Sequence, residues 1–120
     1  MHLSAQHVQV DMSGYQLDHM IEFAIAEMAA GDPDRVRSLV RKLAQRWPEQ
    51  KALTICFALT SAAAQIEEVF VDPAAARAPG IAYKMAALVA GDILASEALG
   101  IVPVKGRDLL HYWRRSDPYF

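Results

Sequence analysis

Few side chains in this sequence are of a type and spacing that could do chemistry. His19 and Glu22 stand one helical turn apart, with Asp18 adjacent. Such a pair can hold half of a metal site, but a dinuclear centre in a helical bundle takes carboxylates from several helices and two Glu-x-x-His pairs. This chain has neither pair, so an exposed polar face is the expectation and no metal ligand is assigned. Cys56, the single cysteine, lies between Ile55 and Phe57 in an apolar run. A nucleophilic thiol needs an accessible, electropositive setting that favours thiolate. Cys56 is expected instead to be a small buried hydrophobe. Asp92 is the candidate buried polar residue: it lies between Val89 and Ile93, and Lys84, Asp92 and Glu97 do not share one helical face. Burial would require a partner, such as an arginine of the second predicted helix. Perturbed carboxylates are also catalytic candidates, yet no Gly-rich phosphate loop, nucleophile elbow, paired acidic motif or Cys/His metal pattern accompanies this one. No catalytic residue and no cofactor is assigned.

Cationic residues form two groups. Arg35, Arg37, Arg41, Lys42 and Arg46 fill the polar side of one predicted helix, the electrostatic footprint of a surface for phosphate, RNA or an acidic protein. Near the C-terminus, His111, Arg114 and Arg115 interleave with Tyr112 and Trp113, a mixture able to stack bases or contact anions. Helical spacing offers a simpler account, with Leu109, Leu110 and Trp113 pointing inward. The candidate partner-binding residues are therefore Arg35, Arg37, Arg41, Lys42, His111, Arg114 and Arg115. A formal net charge of −2 disfavours nucleic acid, and Asp18, Glu22 and Glu27 on the preceding helix can neutralise the first group internally. An acidic protein is the alternative partner for that face.

Local signals define the elements that must position these side chains. Residues 52–66 contain no charged side chain and are closed by Lys51 and by Glu67 and Glu68. At about 1.5 Å per residue the run is shorter than the roughly 20 residues a membrane crossing needs. It marks the central helix of a soluble bundle, predicted over about 48–70 and opened by Pro48, with Ile55, Phe57, Leu59 and Ile66 buried. Before it, Val8, Val10 and Met12 alternate as a short strand would but have no strand to pair with, so residues 1–12 read as a flexible or docked arm. A first helix follows over about 15–30, with Ser13 as N-cap and Gly31 as its stop. Asp32-Pro33 opens the second helix by a carboxylate cap and a proline at the first helical position, and Val36, Leu39, Val40, Leu43 and Trp47 form its apolar stripe. Asp72-Pro73 repeats the start signal. One helical turn, a bend at Pro79-Gly80 and a fourth helix to Leu99, ended by Gly100, are expected after it. Residues 101–104 read as an extended connector and 107–115 as a short last helix.

The expected fold is all-α: a compact bundle of four main helices plus a short C-terminal helix, in one domain over 13–120. The sequence is 120 residues long and 53% hydrophobic. That fraction is slightly above the usual range and supports extra buried surface such as a subunit interface. The lone cysteine, and first residues without the basic start and apolar core of a signal peptide, give cytoplasmic location with no membrane anchor as the expectation. The function expected on these grounds is a non-enzymatic interaction or regulatory module that self-associates, most simply as a homodimer. The alternative is a small-ligand-binding bundle with a pocket between the third and fourth predicted helices, near Pro79-Gly80.

Overall fold

The charge-free run folds as predicted into the helix about which the others pack. The computed structural model describes residues 2–69 and 77–113, with side chains from Gly14 onward. Six helices follow in order: α1 His2–Ala29, α2 Pro33–Arg37, α3 Leu39–Arg46, α4 Ala52–Val69, α5 Arg77–Ala98 and α6 Gly106–Leu109. No strand occurs among the described residues, and the fold is all-α. α4 is central and packs on α1, α3, α5 and α6. Its Ile55, Leu59, Ala62, Ala63 and Ile66 are buried, at the i, i+4, i+7 spacing of a single helical face.

Phe57 corrects the expectation for that helix. It is 55% exposed, and Leu53 is 66% exposed. At about 100° per residue, Phe57 points roughly 200° away from Ile55 and so lies opposite the buried stripe. Absence of charge thus did not mean burial on every side.

α1 places Met20, Ala24 and Met28 in the core, one turn apart. Its backbone is helical from His2, through Ser13, so Ser13 is not the N-cap and the helix starts well before residue 15. Gly31, at φ 78°, ends the element beyond Ala29 as expected. Asp32 then caps α2, its Oδ1 accepting the Asp34 N–H at 3.0 Å, with Pro33 at the first turn. The second predicted helix is divided at Ser38. The Ser38 hydroxyl lies within bonding distance of the Asp34 and Arg35 carbonyls, at 3.1 and 3.2 Å, and such local bonds compete with the helical ladder. The apolar stripe keeps its phase across the break, and Val36, Leu39, Val40 and Leu43 are all buried.

Pro48 does not open the central helix. Residues 48–51 are occupied by pairing with the connector 101–104 and the start of α6: Ala52 N–H donates to the Val104 carbonyl at 2.8 Å, Gly106 N–H to Gln50 at 2.8 Å and Arg107 N–H to Pro48 at 3.0 Å. Lys51 and Lys105 form an isolated antiparallel bridge in the same place. Gly106 is required there, because a Cβ would meet the Trp47 carbonyl oxygen at 2.7 Å.

α5 runs straight through Pro79-Gly80, where a bend was expected. Pro79 is its third residue, within the first turn whose amides have no intrahelical partner, so proline interrupts no bond. The Asp72-Pro73 start signal and residues 74–76 lie outside the described residues. At the other end Gly100 adopts φ 89°, its N–H bonds to Glu97 at 2.9 Å and Ile101 N–H bonds to Ser96 at 3.0 Å, the paired closure of a Schellman motif. The last helix is shorter than predicted. α6 ends at Leu109, and two turns then carry Trp113 into the core, 2% exposed.

Candidate functional site

Charge matching accounts for much of the basic face on α2 and α3. Glu27 of α1 is only 7% exposed, and its carboxylate accepts hydrogen bonds from Arg35 and Lys42. Burial pushes the Glu27 carboxyl up, but the hydrogen bonds and positive charges of Lys42 and Arg35 outweigh that and hold it below its ordinary value. Arg37 pairs with Asp34 at 3.1 Å, an exposed i, i+3 contact. Arg46 lies over the rings of Phe23 and Trp47, at 4.8 and 5.4 Å from their centroids. Arg41 also makes an interaction of its own. His111 is exposed beside Tyr112. Arg114 and Arg115 lie outside the described residues. Among the described residues, the candidate binding cations are therefore not gathered into one site.

Asp92 is half-buried, as its clash of faces suggested, but its partner is not an arginine. The Trp113 indole N–H donates to Asp92 Oδ2 at 2.8 Å, tying the chain beyond α6 to α5. The same carboxylate acts on Cys56. Burial first, and the negative charge of Asp92 second, push the thiol up to about 11, and its S–H reaches the Ala86 carbonyl at 3.4 Å. That is the setting of a structural cysteine, not of a nucleophile. His19 stacks edge-on against Tyr15, with centroids 4.3 Å apart. No cluster of three or more His, Cys, Asp or Glu able to hold a metal ion occurs among the described residues.

Two features remain that no internal contact explains. The first is the outer side of the α4–α5 pair. The bond from Cys56 to Ala86 and that from the Tyr83 hydroxyl to Glu67 show the two helices running antiparallel. On α5, Gly80, Lys84, Ala87, Gly91, Leu94 and Ala98 share one exposed face. Leu94 is 70% exposed, and no charged residue falls among the four from Ala87 to Ala98 on that line. Leu53, Phe57 and Ala64 of α4 share one exposed line on that helix, opposite its buried stripe. Both helices are long and apolar enough to cross a membrane by length and composition alone, with 44% and 33% of their apolar windows buried in the fold. The mean over the whole helix hid this face from sequence reasoning. The signal that finds it is the position of the small residues relative to Met85 and Val89 on the opposite, buried side.

The second is a cavity of about 370 Å³ between the α1–α2 corner and the facing ends of α4 and α5. It is lined by Met28, Val36, Ile66 and Ile81, with Asp32 and Arg77 supplying the polar part. The expected pocket lay between the third and fourth predicted helices. Ile66 and Ile81 come from those helices and Arg77 from the turn before the expected bend, while the facing wall comes from the α1–α2 corner.

No family model, curated protein or solved structure matches this chain.

Proposed function

We propose that this chain is a non-enzymatic helical interaction module that self-associates as a two-fold dimer through the outer face of α5. The observation that carries this reading is the neutral centre of the face, Ala87, Gly91, Leu94 and Ala98. A two-fold contact sets a patch against its own copy, so like charges would meet across the axis. The neutral stretch from Ala87 to Ala98 avoids that cost, and small residues let two helices approach closely. Cys56, Asp92 and His19 are each committed to internal contacts, which supports a role without catalysis. An acidic protein on α2–α3 is the competing partner, and the engagement of Arg35 and Lys42 by Glu27 counts against it.

Sedimentation velocity at micromolar concentration is expected to show a dimer, and Leu94→Asp to return a monomer with unchanged helical circular dichroism. Wild-type protein that stays monomeric up to about 100 µM overturns the reading, as does a dimer indifferent to Leu94→Asp. Flotation of the wild-type chain with phosphatidylcholine vesicles, abolished by the same substitution, would replace the second copy with a lipid surface.

A further inference from the structure

The cavity at the α1–α2 corner is independent of the α4–α5 face and has a chemistry of its own. Met28, Val36, Ile66 and Ile81, from four different helices, make its walls apolar. Its two charged groups differ in availability. Asp32 is engaged: its carboxylate caps α2 through the Asp34 N–H at 3.0 Å and lies in the field of Arg35. Arg77, exposed at the start of α5, makes no hydrogen bond or ion pair among the described residues. An apolar chamber edged by a guanidinium with no partner among the described residues is suited to a molecule with an apolar body and an acidic end, because a carboxylate meets the planar fork of arginine with two parallel hydrogen bonds. At about 370 Å³ the space sits at the small end of ligand pockets, which span roughly 300–1,000 Å³.

The geometry points to this cavity as a binding site for a small monocarboxylate with an apolar body, its acid group on Arg77 and its tail against Met28, Val36, Ile66 and Ile81. A bound molecule bridges the α1–α2 corner and the start of α5, so it stabilises the folded chain in proportion to its occupancy. Octanoate and its neutral counterpart 1-octanol are the probes, read by isothermal titration calorimetry and by the shift in melting temperature. The wild-type chain is expected to bind octanoate with Kd at or below about 1 mM. Arg77→Ala should weaken octanoate about tenfold, the lower end for a charge-assisted contact made at an exposed side chain, and leave octanol unchanged. Ala78→Phe, placed on the cavity lining, should abolish binding of both. No octanoate binding by the wild-type chain overturns the proposal, and so does octanoate binding unaffected by Arg77→Ala. If Ala78→Phe fails to fold, the Arg77→Ala comparison decides alone, since that side chain is outside the core. Arg77→Ala leaves the proposed dimer face intact, so sedimentation of the same sample separates failure of this site from failure of self-association.

Discussion

Glu27→Gln should destabilise the chain by about 1–2 kcal/mol at neutral pH, and the pH dependence of that loss tests its cause. The wild-type carboxylate joins α1 to α2 and α3 through Arg35 and Lys42. Glutamine keeps the shape and removes the charge. Breaking a fully buried pair costs about 3–5 kcal/mol because the stranded charge stays dry. Here the Arg35 and Lys42 side chains are 46% and 28% exposed, so both cations return to water. The expected loss therefore falls between the buried value and the roughly 0–1 kcal/mol of an exposed pair. For a chain of this length that is a fall in Tm of about 4–10 °C. The sign with pH follows from the direction of the shift. Because the folded Glu27 carboxyl is held below its ordinary value, its stabilisation is fully present above the ordinary carboxylate range and fades as pH falls through the lowered folded value. Urea melts of wild type and variant should differ by a constant amount from pH 7 to about pH 5 and converge on further acidification. A difference under about 0.5 kcal/mol at pH 7, or one that widens in acid, would refute the reasoning.

Gly106→Ala should cost about 1–3 kcal/mol by overpacking, because the new Cβ meets backbone at Trp47 and Pro48 that has no freedom to retreat; chemical denaturation measures it. Phe57→Ala, at an exposed site, should change monomer stability by less than about 1 kcal/mol, against about 2–5 kcal/mol for Leu59→Ala in the core; equal losses in thermal melts of a monomeric background would contradict the orientation of α4. Trp113→Phe should lose about 1–2 kcal/mol through the bond to Asp92, and Asp92→Asn should red-shift or quench the Trp113 contribution to fluorescence without unfolding the chain. Reversing Arg37 and Arg41 to glutamate should lower stability by no more than about 1 kcal/mol each and create or abolish no association in sedimentation.

The caps of this fold were legible because they are local. Asp32, Pro33, Gly31 and Gly100 act within one turn of their own positions, and each does what its type requires. The break at Ser38 was not legible, since Val36, Leu39, Val40 and Leu43 hold helical phase across it and the serine acts only through its hydroxyl. The late start of α4 depends on pairing with residues 101–107, which no window around Pro48 contains. Phe57 is a different case. The spacing of Ile55, Leu59, Ala62 and Ile66 turns it outward, and the absence of charge in a helix does not by itself bury every side. For Asp92 the conflict of faces foretold partial burial, whereas its partner followed from the placement of Trp113 beyond α6. The internal pairing of the basic face with α1 was foreseen from composition, although a single acid, Glu27, takes both Arg35 and Lys42.

The helical phase of α5 keeps its two unexplained features apart. Taking Gly80, Ala87 and Ala98 as the centre of the outward line, Ile81 lies about 100° and Ala78 about 160° around the same helix. Ala78 and Ile81 of the cavity lining therefore face away from that line, whereas Arg77, about 60° from it, lies at the margin between the cavity and the outer face. One helix can serve both because Met85 and Val89, buried on its inner side, hold it rigidly against α4. Steric exclusion of a ligand by the partner is thus not built into this arrangement. Any coupling between the two would have to pass through a shift of α5 as a body, and the Asp92–Trp113 bond together with the Tyr83–Glu67 bond resists that shift.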